Sequence, residues 1–178
     1  MACGLLLLAC GPLLLQPQTA GAAQDPLALG HDGVGPLTLG LRLEQAERLA
    51  MEAAPESVFS GIGCGGLNEI RYQGRIAELD VDVMAMGAQA HIDAVEVLLH
   101  HPHPVESRGA CLVLRDRFAE AFTQRFGPLQ SGRQVTRPVS QEIYAATGPV
   151  VIVARWFETG GSCYVSARYG NSTEFAGR

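Results

Sequence analysis

The chain has 178 residues, 47% apolar and 17% charged, which suffices for one cored domain, or two small ones, and excludes general disorder, collagen and coiled coil. All 13 basic residues are Arg, so a lysine Schiff base, a Walker A lysine and lysine acid–base chemistry are excluded. The net charge is -5 and the arginines are scattered, which speaks against a nucleic-acid or anionic-membrane partner.

The first 23 residues carry no charge. Their leucine-rich stretch, broken at Cys10-Gly11-Pro12, ends in the small-residue run Ala20-Gly21-Ala22-Ala23. An apolar core followed by an A-x-A site predicts a secretory signal peptide over residues 1–23, cleaved near Ala22 or Ala23. The expected location is periplasmic or secreted. A second reading takes Leu7-Leu8-Ala9-Cys10 as a lipobox with a lipid anchor on Cys10. It is not favoured, because leucines rather than a polar tether follow the cysteine. No other segment reads as an integral membrane span.

Residues 24–36, rich in Gly, Pro and Asp, read as an N-terminal lead. Leu43, Ala46, Leu49, Ala50 and Ala53 recur at helical spacing, and Pro55 ends the run. Glycines 61–66 predict a loop. Residues 67–73 and 76–86 predict a hairpin around Gly74. In its second strand Ala77, Leu79, Val81, Val83 and Ala85 alternate with Glu78, Asp80 and Asp82, so one face is buried and the other wet. Residues 92–99 form a third apolar segment, read as a strand, with a helix as the alternative that its mixed pattern leaves open.

Leu114, Phe118, Phe122 and Phe126 make the strongest helical stripe, over residues 107–126, with Ser107 as N-cap and Gly127-Pro128 as the stop. Residues 128–138 read as a loop. Segments 139–146, 150–157 and 162–169 read as strands, with Cys163, Val165, Ala167 and Tyr169 on one face. The expectation is a single α+β domain of two similar halves, residues 37–103 and 104–178. Each half has a helix and about three antiparallel strands, with the helices on one face of the sheet.

The segment Gly35-Pro36-Leu37-Thr38-Leu39-Gly40-Leu41-Arg42-Leu43-Glu44-Gln45-Ala46 resembles the opening of small exported modules of the SmpA/BamE type and of the β-lactamase-inhibitor-like fold. Arg42 departs from the usual Thr or Ser cap. The resemblance implies a binder of other envelope or secreted proteins, with no catalytic residue and no cofactor.

Three cysteines follow the signal region: Cys64, Cys111 and Cys163. In an exported protein Cys111 on the helix and Cys163 on the last strand are the expected disulfide, with Cys64–Cys111 and Cys64–Cys163 as rival pairings. The first choice leaves Cys64 unpaired. His100, His101 and His103 are the candidate metal ligands, since imidazoles bind Zn, Cu and Ni, although Pro102 and Pro104 interrupt them. The acidic row Glu78, Asp80 and Asp82 reads as a solvated face paired with Arg71 and Arg75 across the hairpin. No nucleophile elbow, zincin helix or dinucleotide fingerprint is present. The expected function is non-enzymatic protein binding. The alternatives are metal binding through the histidine tract and a small secreted hydrolase.

Overall fold

The computed structural model describes residues 27–63 and 65–170. The expected signal at 1–23, its cleavage site, Cys10 and Cys64 lie outside the described residues. In chain order the elements are β1 (Gly33–Val34), β2 (Leu37–Thr38), α1 (Leu43–Ala53), β3 (Phe59–Ile62), β4 (Asn68–Ile76), β5 (Leu79–Gly87), β6 (Ala94–Leu99), β7 (His103–Pro104), α2 (Arg108–Phe126), β8 (Gln130–Thr136), β9 (Gln141–Thr147), β10 (Val150–Phe157) and β11 (Ser162–Tyr169).

The expected α+β class is corrected. Strand accounts for 47% of the described residues and helix for 21% in only two helices, so the fold is β-rich and dominated by one antiparallel sheet. The sheet runs β3-β4-β5-β6-β11-β10-β9-β8, with the short β7 pairing beside β6 on β11. Each helix is thus followed by four long-range-paired strands rather than three. The missed strands are the two outer ones and the two-residue strands β1, β2 and β7, the last of which lies where the prolines were expected to break the structure. β3 was hidden in the glycine run, and β8, of sequence QSGRQVT, in the segment expected to be a loop. Both lie at sheet edges, where one flank faces water and no buried face demands an apolar alternation.

The last strands of the two four-stranded runs, β6 and β11, pair with each other, Val97 opposite Ala167 and Glu96 opposite Arg168. This seam joins the two four-stranded blocks into one sheet. From β4 to β11 the residues facing one side form the core: Ile70 and Tyr72, Val81 and Val83, Val95 and Val97, Ile152 and Ala154, Val165 and Ala167, all buried. α2 covers this side with Cys111, Phe118, Ala119 and Phe122, and the Phe118 and Phe122 rings lie 5.6 Å apart. Leu114 and Phe126, the rest of the stripe, are half-buried against the same core. α1 contributes Ala46 and Ala50. The β1–β2 ribbon fills in with Val34 and Leu37, and the Tyr72 hydroxyl donates to the Val34 carbonyl at 3.2 Å.

Local chemistry explains the helix ends. Ser107 Oγ accepts from the Ala110 N–H at 3.2 Å, satisfying one free donor of the first turn of α2. Gly127 ends the helix at φ +97°, a conformation that favours glycine. At α1 the N-cap Arg42 offers no side-chain acceptor, and Glu44 in the first turn is left to meet the helix dipole.

The hairpin turn is also corrected. It sits at Ala77-Glu78, both with positive φ (48° and 64°), not at Gly74. Two left-handed residues match the twist of a two-residue hairpin, but non-glycine residues pay steric strain there. Gly74 stays within β4 because the Leu27 side chain lies over it, and a Cβ would meet Leu27 at 2.8 Å.

Candidate functional site

Cys111 and Cys163 form a disulfide, with Cα atoms 5.3 Å apart, which ties α2 to the start of β11 inside the core. Both residues are fully buried. The histidine tract does not converge. His100 Nδ1 lies 3.1 Å from both Asp82 carboxylate oxygens, its ring packs on His101 at 4.1 Å, and His103 is in β7 opposite Cys163. Among the described residues no three His, Cys, Asp or Glu side chains are placed to share a metal ion. The acidic row divides as well. Arg75 pairs with Glu78 and Asp80, each at 3.2 Å, whereas Asp82 is buried beneath His100.

Strand alternation puts a second set of residues on the face opposite the helices. Cross-strand partners there run Phe59–Arg71–Met84–Glu96–Arg168–Val151–Ala146 as one rung of the sheet. Among the described residues neither helix nor the β1–β2 ribbon packs on this face. It is nevertheless structured. The Arg71 guanidinium sits 5.5 Å from the Phe59 ring centroid, and Arg133 sits 4.7 Å from that of Tyr144.

The centre of order on the β8–β11 side is Glu142, whose side chain is only 7% exposed. Its carboxylate accepts from Arg155 at 3.0–3.1 Å, from Tyr144 Oη at 3.0 Å and from Arg137 at 3.4 Å. Burial alone would raise its pKa. The Tyr144 hydrogen bond and the Arg155 and Arg137 charges outweigh that, so the carboxyl titrates below its ordinary range. Burial, helped by the same contact, pushes the Tyr144 hydroxyl up. Tyr164, in mid-face on β11, is pushed up to about 12 by burial and by the Glu96 and Asp82 charges. On the opposite, helix-covered side the buried Tyr169 hydroxyl has no hydrogen-bond partner among the described residues, and burial raises its pKa.

A polar cavity of about 250 Å³ opens on this face, lined by Arg137, Arg155 and Arg168, by Glu96 and Glu142, and by Tyr144, Ser166 and valines. The two blocks of the face carry opposite charge. Over β3–β6 stand Glu69, Asp80, Asp82 and Glu96 against Arg71 and Arg75. Over β8–β11 stand Arg133, Arg137, Arg155 and Arg168 against Glu142 alone.

Sequence reading missed Glu142, Tyr144, Arg155 and Arg168. The signal was present: once Cys163, Val165 and Ala167 share the core side, Tyr164, Ser166 and Arg168 must share the other. No known protein family, curated protein or solved structure matches the chain.

Proposed function

We propose that the protein is an exported, non-enzymatic module of the cell envelope that acts by binding another protein through its helix-free sheet face. The observation that carries the reading is that face: an eight-stranded surface free of helices, on which Phe59, Arg133 and Arg168 are exposed and Arg71, Met84, Arg155 and Tyr164 half-buried. Arginine and aromatic residues are the groups that dominate protein–protein contacts, because they bring large contact area and several hydrogen bonds at modest entropic cost. Arg71 on Phe59 and Arg133 on Tyr144 hold such groups in place before a partner arrives. Export is further supported by the Cys111–Cys163 disulfide, since such bonds persist in oxidising compartments. No described helix is long and apolar enough to cross a membrane.

Site-specific photocrosslinking in the producing cell tests the reading. A photoreactive residue at Arg71 or Ser166 should give a discrete protein adduct. The same residue at Val113, exposed on the outer side of α2, should give none. Adducts from Val113 with none from the sheet face would overturn the proposal.

A further inference from the structure

We infer that the partner seated on this face is a second copy of the chain, docked face to face about a two-fold axis running along the β6–β11 seam. The inference rests on the reading of the face as a protein-binding surface and names its occupant. A two-fold axis parallel to the strands keeps height along the strand and exchanges left for right. A residue beside the seam therefore meets, on the other copy, the residue that is its own cross-strand neighbour. Such an interface is isologous, and its residues must complement each other.

The seam residues meet that condition. Glu96 and Arg168 are register partners on the open side. Neither makes an ion pair or a side-chain hydrogen bond among the described residues, although they stand side by side. Across the two-fold, Glu96 of each copy faces Arg168 of the other. One strand further out, Met84 is opposite Glu96, and Val151, itself largely buried, is opposite Arg168, so no charge is set against the half-buried Met84 of the other copy. Still further out sheet twist takes the strands out of alignment, and there the net charge of each block matters. The acidic β3–β6 block of one copy lies over the basic β8–β11 block of the other, twice. The reverse placement, like on like, is disfavoured.

The size also fits. Eight strands at about 4.8 Å spacing and about seven residues long offer roughly 800 Å². About 800 Å² per partner is the area of a standard stable interface.

Sedimentation equilibrium of the purified chain with its disulfide formed, at about 1–100 μM, tests this. A reversible dimer is expected, weakening about tenfold or more between about 50 and 500 mM NaCl. Arg168→Glu alone and Glu96→Arg alone should each weaken it about tenfold, because like charges then meet across the axis. The double variant Glu96→Arg/Arg168→Glu should restore it to within about threefold. Unchanged far-ultraviolet circular dichroism shows that each variant is folded. A chain that stays monomeric throughout overturns the inference, while the crosslinking result still decides whether the face binds a different protein. A dimer indifferent to both single reversals also overturns it, because the copies would then meet elsewhere.

Discussion

The block from α1 to β6 and the block from α2 to β11 follow the same path, a helix and then four paired strands, but are held together differently. α1 buries two alanines. α2 buries two phenylalanines and an alanine, and is bonded to β11 through Cys111 and Cys163. The second block also has the Glu142 network on its open side, whereas the open side of the first has one buried carboxylate, Asp82, paired among the described residues with His100 alone, and arginine pairs that are half-exposed or exposed. The outer edges differ in the same sense. β8 carries a bulge between Ser131 and Gln134 and an arginine, both of which discourage further strand pairing. β3 is four uncharged residues ending in Ile62, 76% exposed. The buried phenylalanines of a helix, the disulfide and the Glu142 network all fall in one block, and the face that joins the two blocks carries opposite charge on each. A shared path therefore does not imply shared energetics.

The largest expected effect tests the difference between the helices. Phe118→Ala empties a fully buried site in a close-packed core and should cost about 3–5 kcal/mol in urea unfolding. Ala46→Gly, the available truncation at the buried face of α1, should cost only about 1–2 kcal/mol, from helix propensity and the loss of one buried methyl. Equal losses would dissolve the contrast. Next comes the staple. Replacing Cys111 and Cys163 together by Ala should cost about 2–4 kcal/mol, since the bond closes a loop of 52 residues' separation in the unfolded chain. A thiol titration of the folded chain should find neither sulfur reactive.

Glu142 gives the third prediction, and its sign follows from its lowered pKa. A group ionised more readily in the folded state contributes stability that is fully present above its unfolded value, about 4.3. That contribution is lost as pH falls through the lower folded value. Glu142→Gln should therefore cost about 1–3 kcal/mol at neutral pH and flatten the loss of stability below about pH 4. An unchanged acid limb in the variant would remove Glu142 from the account. The smallest effect has the opposite sign. Glu78→Gly should stabilise the β4–β5 hairpin by about 0.5–1 kcal/mol, because glycine relieves the positive φ and the lost Arg75 contact is exposed. A loss of stability would show that the turn is not strained.

Much of the fold was legible where burial imposes a pattern. The stripe Leu114, Phe118, Phe122 and Phe126 marked α2 because a helix turned toward a core repeats its apolar residues every three or four positions. β10 and β11 read from their ends at Gly148-Pro149 and Gly160-Gly161. The disulfide was legible because Cys111 fell on the buried stripe and Cys163 on the apolar side of β11. What failed had no such constraint. The edge strands β3 and β8 face water on one flank, and a turn at Ala77-Glu78 is written in residues that ordinarily avoid it. Gly74 misled because Leu27, distant in sequence, determines its role. The site was the least legible part, since Glu142, Tyr144 and Arg155 come together only through cross-strand register. The two blocks' opposite charge appears only once their strands are ordered in one sheet.

The central claim, that the helix-free sheet face is where this protein meets another, is tested most directly by oxidative footprinting of the protein in the intact cell envelope against the dilute purified chain. Met84 and Phe59 lie on that face, and Met51 lies exposed on α1. Met84 and Phe59 should be protected in the envelope, while Met51 should oxidise at the same rate in both settings. Protection of Met51 with no change at Met84 and Phe59 would contradict it.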